Sequence, residues 1–274
     1  TASSPVSKRL SPRKMAFITG TLLLTSTGFI CRILGFFYRI FMSRTIGAEG
    51  LGIYNMVHPI FSICFAVCAG SIQTALSQYV AANQTRGRAV FRTGLVIAMG
   101  MSFLLAWVIY GNAGFLAEKL LLEPRCAPYL PVMAVSVPFA ALHACINGYY
   151  YGMQKARVPA FSQVAEQVIR MGAVFLIASI RLESGRQITV SLAVYGHLIG
   201  EMASAVFTVF CLGFFPPCKD GDSRRAPAIP LSFGATAAPL MALALPLMGN
   251  RLILNVLGSA EAIWIPNKLM SSGL

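Results

Sequence analysis

The residues best suited to chemistry form a cationic stripe in an otherwise apolar segment, 15–46. Small or charged side chains recur there every three or four residues, at Thr21, Thr25, Gly28, Arg32, Gly35 and Arg39. Because an α-helix turns every 3.6 residues, this spacing puts them on one helix face. A charge at the centre of a bilayer costs roughly 2.5–3.5 kcal/mol on insertion scales. The stripe therefore predicts a polar cavity inside a membrane protein.

Arg32 and Arg39 are the chemically distinctive members of this stripe. They lie seven residues apart and so project from one side of a helix, two turns from each other. A guanidinium donates two parallel hydrogen bonds, which matches the geometry of a phosphate. For Arg39 a second interpretation stays open, in which its side chain extends to the outer membrane interface.

Two pairs of ionisable residues lie in later apolar segments. Glu166 and Arg170 are spaced i, i+4, as are His197 and Glu201, so each pair can form within one helix. For Glu166 and Arg170, mutual neutralisation and a role in a gate or ligand site both fit the spacing. For His197 and Glu201, a structural hydrogen bond and participation in proton coupling both fit.

Further polar residues mark other segments as lining the predicted cavity. His143 and Asn147 begin a stripe that continues to Tyr150 and Gln154. Near the end of the chain the polar residues are Arg251, Asn255, Glu261 and Lys268. The histidines fall on separate segments without the spacing of a metal site, so we expect neither a metal nor another cofactor.

The balance of charge inside the apolar segments favours an anionic ligand. Five cationic side chains stand against three acidic ones: Arg32, Arg39, Arg170, Arg251 and Lys268 against Glu166, Glu201 and Glu261. Two positive charges remain even if every acid is paired. A site for a cationic drug would require the opposite surplus.

The composition is that of a polytopic, all-α membrane protein. Of the 274 residues, 56% are hydrophobic and 11% are charged, whereas soluble domains have about 25% charged residues. The net charge of +13 resides mainly in short loops, which argues against nucleic-acid binding. Because the chain has no Ser-His-Asp set, P-loop or dinucleotide fingerprint, we do not expect an enzyme.

Apolar segments of about 20 residues predict the membrane crossings. Six complete crossings are expected at 15–42, 52–80, 92–112, 128–152, 160–180 and 188–215, and a seventh begins near 236. Alternate loops carry twelve basic residues on one side and five on the other. This asymmetry predicts a cytoplasmic N-terminus in the plasma membrane.

Four parts follow from this pattern. We expect a cytoplasmic tail at 1–14, a six-helix transmembrane lobe at 15–215 and a cytoplasmic linker between lobes at 216–235. The last part, 236–274, is expected to be the first helix of a second lobe, cut short.

Several motifs resemble the polysaccharide-transporter family of the multidrug/oligosaccharidyl-lipid/polysaccharide exporter superfamily. They are the segment 28–36 with Arg39, the segment 46–54, Gly148–Tyr150, Gly152–Gln154, Glu166, Arg170, Pro246, 251–253 and Glu261. The resemblance covers about 15–274. It implies a MATE-like transporter of two six-helix lobes around a central cavity, of which this chain holds the N-terminal lobe and the start of the second.

The resemblance also implies a function. Family members move polyprenyl-pyrophosphate-linked saccharides, including lipid II-like peptidoglycan precursors, across the cytoplasmic membrane by alternating access, for cell-wall or spore-cortex formation. The implied partners are an anionic lipid-linked saccharide, membrane lipids and cell-wall synthesis enzymes. Arg32 matches the first cavity arginine of related lipid II flippases, whereas Tyr38 stands where the next is expected. The alternatives are a cation or drug antiporter of the same superfamily and a non-transporting scaffold for cell-wall enzymes.

Overall fold

The chain folds as a bundle of long helices. The computed structural model describes residues 12–185, 187–217 and 233–271, with side chains described at 15, 18–185, 187–217 and 233–258. Its main helices are α1 (Pro12–Phe65), α2 (Ser71–Ala82), α3 (Gly87–Gly111), α4 (Leu130–Gly152), α5 (Arg157–Glu183), α6 (Ser191–Phe214) and α7 (Phe233–Ser271). The predicted all-α class is confirmed.

Most of these helices are long and apolar enough to cross a membrane. In the described part of the chain six segments qualify, and the first, Ile18–Ala82, is 65 residues long. One crossing needs about 20 residues, so this segment has the length for more than one. Large apolar side chains point outward along α3, where Phe103, Leu104 and Trp107 are all more than half exposed. The predicted multi-pass membrane protein is confirmed.

Helix α1 has a sharp bend at Gly47. This residue adopts φ 74° and ψ 174°, a conformation that is costly for a residue with a Cβ. The bend divides α1 into two arms, 12–46 and 48–65. Sequence spacing predicts separate helices at 15–42 and 52–80. The structure has two helical arms that meet at Gly47, and residues 43–51, between the two predicted segments, are helical on both sides of that residue.

A wide π-helical turn, Ala66–Gly70, joins α1 to α2. Two side chains bond to backbone carbonyls around it: Cys68 Sγ lies 2.9 Å from the carbonyl of Cys64, and Ser71 Oγ lies 2.7 Å from that of Ala66. Such turns leave backbone groups outside the regular α-helical pattern. Here Cys68 and Ser71 donate side-chain hydrogen bonds to backbone carbonyls in and next to the turn.

Helix α4 is the centre of the bundle, and glycine lets α2 approach it closely. A Cβ on Gly148 would lie 2.7 Å from the carbonyl oxygen of Gln73, and one on Gly152 would lie 2.6 Å from Cβ of Val80. Small residues at such spacing are typical of membrane helix interfaces, where close backbone contact replaces hydrophobic exclusion. The neighbouring Tyr149 and Tyr150 are almost fully buried.

Tyr150 ties α4 to the end of α6. Its hydroxyl lies 2.9 Å from the carbonyl oxygen of Cys211 and 2.8 Å from that of Phe215. Both carbonyls lie at the C-terminal end of α6, where backbone partners become scarce, although the Cys211 carbonyl also accepts from the N–H of Phe215 at 2.7 Å. Tyr150 therefore stabilises the end of α6. Gln154, the last residue of the predicted polar stripe, lies beyond the end of α4 and has a positive φ of 58°.

Helix α7 packs onto the bundle along one edge. Its buried residues recur every four positions, at Thr236, Leu240, Ala244 and Met248, as expected for one helix face. Leu240 reaches the α2–α3 contact, where its Cδ2 would be 3.3 Å from a Cβ on Gly94. The predicted linker, 216–235, lies mostly outside the described residues, as does most of the predicted tail, 1–14.

Ion pairs connect the bend of α1 with the loop before α4. Arg125 contacts Glu49 and also places Nε 2.8 Å from Oε1 of Glu123. These hydrogen bonds hold the pKa of Glu123 below its usual value. Burial raises the pKa of the adjacent Cys126 thiol to about 11. Glu49 and Arg125 are thereby placed at the same end of the bundle.

The contact between α2 and α4 gives a first testable prediction. We expect Gly148→Val to destabilise the protein by about 1–3 kcal/mol, because the new side chain must displace the backbone of Gln73. Gly100→Val is the matched control, since a Cβ at Gly100 meets no atom within 4 Å. Thermal unfolding in detergent, followed by size-exclusion chromatography, measures both variants. Equal melting temperatures for the two would contradict the proposed close contact.

Candidate functional site

Ionisable side chains from three helices meet inside the bundle. They are His143 of α4, Glu166 and Arg170 of α5, and His197 and Glu201 of α6. We refer to these five residues as the buried ion network. Each lies well inside its helix, and the pairs on α5 and α6 share a helix face because of their i, i+4 spacing.

Glu201 is the centre of the buried ion network. Its Oε2 lies 2.8 Å from Nε2 of His143. Its Oε1 lies 3.7 Å from Nη2 of Arg170 and 3.8 Å from Nε2 of His197. Glu201 is only 5% exposed, so these groups must replace the water that would otherwise solvate the carboxylate.

Arg170 neutralises carboxylates on two helices. Its Nη2 donates to Oε1 of Glu166, one turn earlier on α5, and also faces Glu201. The predicted pair between Glu166 and Arg170 is therefore present, with Glu201 added to it. Nε of Arg170 has no hydrogen-bond partner among the described residues. The two carboxylates thus hold the guanidinium of Arg170 inside the bundle.

Two glycines on α6 make room for the side chains of α5. A Cβ on Gly200 would lie 2.8 Å from Nε of Arg170, and one on Gly196 would lie 2.2 Å from Cγ2 of Val174. Because these two positions lack side chains, α5 can come close enough for Arg170 to face Glu201. The same stretch of α6 therefore supplies both the carboxylate and the space for its partner.

His197 is the member of the buried ion network that makes no hydrogen bond within the described residues. It is 2% exposed, and neither ring nitrogen has a partner among the described residues. Its ring packs edge-on against Phe61 of α1 at 4.3 Å between centroids and lies 5.6 Å from the ring of His58. The ring of His58 is in turn held by Ser62, whose Oγ is 3.2 Å from Nδ1.

The network also has the spacing of a metal-binding cluster, but its charges argue against one. His143, Glu166 and Glu201 bring donor atoms within 4.8 Å of one another. The guanidinium of Arg170 faces both carboxylates and already supplies them with a cation. A second cation beside it would be repelled in this poorly solvated interior.

The arginines of the cationic stripe have a different environment. Arg32 and Arg39 are both exposed on the first arm of α1, and no hydrogen bond or ion pair to either is found within the described residues. Seven residues of helix separate them by about 10 Å. Between them, Gly35 faces α5, where its Cβ would lie 3.8 Å from Nε2 of Gln167.

Arg251 docks onto the π-helical turn. Its Nη2 donates to Thr74 Oγ1 at 3.0 Å, and a Cβ on Gly70 would lie 2.4 Å from its Nη1. A side chain at position 70 would displace the guanidinium from this place. Arg251 thus connects α7 to the start of α2.

The remaining predicted site residues lie apart from these contacts. Asn147 is buried one turn after His143, and its Oδ1 has no partner among the described residues. The side chain of Glu261 lies outside the described residues, as does that of Lys268. No local sequence signal joins His143 to Glu201, because 58 residues separate them.

Comparison with known proteins identifies relatives along almost the whole chain. A family model described as polysaccharide biosynthesis protein matches residues 17–271. Stage V sporulation protein B of Bacillus subtilis (strain 168) is 29% identical over 267 residues, which make up 95% of this chain and 51% of that protein. The family match, residues 17–271, therefore includes every residue of the buried ion network.

Two further relatives come from the same organism. The lipid II flippase MurJ is 23% identical over 206 residues, 69% of this chain and 38% of that protein. Sporulation protein YkvU is 20% identical over 260 residues, 94% of this chain and 56% of that protein. The chain spans about half the length of the relatives that it matches, or less.

The buried ion network gives a second testable prediction. We expect Arg170→Ala to lower the free energy of unfolding by about 3–5 kcal/mol, because two buried carboxylates lose their cation. Removing Glu166 as well, in the double variant Glu166→Ala/Arg170→Ala, should restore part of this loss. Arg157→Ala, at an exposed position of α5, is the control. Thermal unfolding in detergent is the measurement, and a double variant less stable than Arg170→Ala alone would contradict the proposed pairing.

Proposed function

Because the chain belongs to the family of polysaccharide biosynthesis proteins, we propose that the whole protein is a flippase for a polyprenyl-pyrophosphate-linked saccharide. It moves this substrate, a lipid II-like precursor or a related glycan, across the cytoplasmic membrane by alternating access. The chain supplies the N-terminal lobe and, in α7, the first helix of the second lobe. Its N-terminus lies in the cytoplasm, as the distribution of basic loop residues predicts.

The proposal depends most on the unpaired arginines of the first arm. Arg32 and Arg39 are exposed on a helix that is otherwise apolar, and neither is paired within the described residues. Facing lipid, each charge would cost a few kcal/mol. Facing a cavity between two lobes, the same charges can bind the two phosphates of a pyrophosphate. A helix face with this chemistry is well suited to an anionic head group.

The other predicted cationic residues have supporting roles in this proposal. Arg251 already donates to Thr74, yet its partly exposed side chain retains donors for a phosphate oxygen. Glu166 and Arg170 shape the inner wall of the lobe through the buried ion network. The saccharide head group then passes through the polar interior while the lipid tail stays in the bilayer.

The names of two relatives guide the choice of substrate and process. One is named a lipid II flippase, which favours a peptidoglycan precursor over other glycans, and another is named a sporulation protein. Sporulation is accordingly the process in which we propose that the protein acts. Cell-wall synthesis enzymes that consume the translocated precursor are the proposed partners.

A variant of Arg32 provides the third prediction. In the full-length protein we expect Arg32→Ala to weaken binding of undecaprenyl pyrophosphate about 10- to 150-fold, the equivalent of one lost charged hydrogen bond of about 1.5–3 kcal/mol. Translocation of lipid II in cells should fall in parallel. Arg32→Lys should retain part of the binding, because it keeps the charge but loses the fork. Arg44→Ala, exposed on the same helix, is the matched control.

Three results separate this function from its alternatives. An Arg32→Ala protein that inserts and melts like wild type but moves lipid II at the normal rate contradicts the proposal. A scaffold is favoured if the wild type moves no lipid II and cells carrying the Arg32→Ala variant still synthesise their cell wall normally. Export of a cationic dye by the wild type, again without lipid II movement, favours an antiporter.

A further inference from the structure

The buried ion network carries more negative than fixed positive charge. Glu166 and Glu201 provide two carboxylates, and Arg170 provides one guanidinium in contact with both. With every histidine neutral, the network has a net charge of −1. An uncompensated charge in the interior of a membrane bundle is strongly unfavourable. The network therefore requires one more positive charge.

The contact between His143 and Glu201 offers a place for that charge. Their atoms Nε2 and Oε2 are 2.8 Å apart, which requires a hydrogen between them. One hydrogen satisfies this bond when the imidazole is neutral. A second proton, carried on the imidazole or on the carboxyl group, brings the network to neutrality. We propose that the buried ion network is a proton-binding site, which holds one proton on the pair formed by His143 and Glu201.

His197 provides an independent observation that points to the same ligand. It is almost fully buried, neither of its ring nitrogens is hydrogen-bonded among the described residues, and its Nε2 is 3.8 Å from the second oxygen of Glu201. Nδ1 of His143 is likewise without a partner in the described part of the chain. The carboxylate thus has an imidazole on each side, and either imidazole can carry a proton next to it.

The donor set distinguishes a proton from other cations. Alkali and alkaline-earth ions prefer oxygen ligands, whereas two of the groups around Glu201 are imidazoles. A divalent metal would raise the network to a net charge of +1 beside the guanidinium of Arg170. A single proton neutralises the network and needs no space that Arg170 already occupies.

Titratable and charged groups of α1, α5 and α6 surround the pair. Tyr54 and His58 of α1, Glu166 and Arg170 of α5 and His197 of α6 interact electrostatically with it, whereas Tyr38 and Arg39 of α1 act on these neighbours. In the described residues Arg170 is the sole permanent cation in direct contact with the two carboxylates. Loss of the proton therefore leaves Arg170 to balance both of them.

The change in net charge when the proton leaves can affect the proposed substrate site through a movement of α5. When the proton leaves, the attraction between Arg170 and Glu201, now 3.7 Å apart, increases. Gly200 leaves no Cβ in the way of Arg170, so α5 can shift toward α6. Gln167, one turn before Arg170, faces Gly35 between Arg32 and Arg39. This coupling to transport rests on the proposed function, whereas the binding of the proton does not.

Proton binding can be tested on the full-length protein without substrate. Infrared difference spectra recorded between about pH 5 and pH 8 should show one buried carboxyl group or imidazole gaining a proton as the pH falls. Glu201→Gln should abolish this signal and His143→Gln should shift the pH at which it appears, while Glu183→Gln, at an exposed position, should leave it unchanged. Wild-type spectra with no buried group titrating would overturn the proposal, whether or not the variants fold. Stoichiometric zinc binding that requires Glu201 would overturn it as well.

Coupling is tested separately with lipid II in vesicles of phosphatidylethanolamine and phosphatidylglycerol. An imposed gradient of one pH unit should change the ratio of lipid II in the two leaflets by up to about tenfold in the wild type. A tenfold change is expected if one proton is transported for each lipid II, because one pH unit is a tenfold difference in proton concentration. Glu201→Gln should remove this dependence. Translocation that responds only to a sodium gradient overturns the coupling. A wild type that takes up the proton but moves no lipid II contradicts the proposed function and leaves the proton site intact.

Discussion

The burial of Glu201 is the constraint on which the packing of α4, α5 and α6 depends. A carboxylate that is 5% exposed in a membrane bundle has lost its water and needs partners from protein. Those partners come from different helices, His143 from α4 and Arg170 from α5. The three helices can therefore not move relative to one another without changing the solvation of this charge. Charge compensation here sets the register of the bundle as well as its stability.

Glycine is the second requirement of this arrangement. Gly196 and Gly200 admit α5 to the surface of α6, and Gly148 and Gly152 admit α2 to α4. Lipid tails are as apolar as leucine, so membrane helices gain little from hydrophobic exclusion and rely on close contact and polar bonds. In this bundle the close helix contact and the polar bonds depend on each other, because the glycines of α6 allow Arg170 to face Glu201. A side chain at Gly200 would disturb both.

Spacing in the sequence predicts what a single helix can form and little beyond it. The pair Glu166–Arg170 follows from its i, i+4 positions, and the structure has it. The contact of His143 with Glu201 does not follow, because it depends on how two helices 58 residues apart meet. The π-helical turn, Ala66–Gly70, has no hydrophobic periodicity that would distinguish it from the helices around it. The bend at Gly47 is equally hidden, because it changes the direction of α1 without interrupting the hydrophobic pattern. Helices and charges are thus encoded locally, whereas the network is encoded by packing.

The arginines of this chain show why packing decides function. Sequence places Arg32, Arg170 and Arg251 alike in apolar segments, yet each has a different environment. Arg170 is committed to two carboxylates, and Arg251 is docked over Gly70 and Thr74. Arg32 has no such partner within the described residues, so its full charge is available to a ligand. An anion near this helix would be attracted most by the arginine whose field is least compensated, and for that reason we propose the first arm of α1 as the binding place for the anionic group of the proposed substrate.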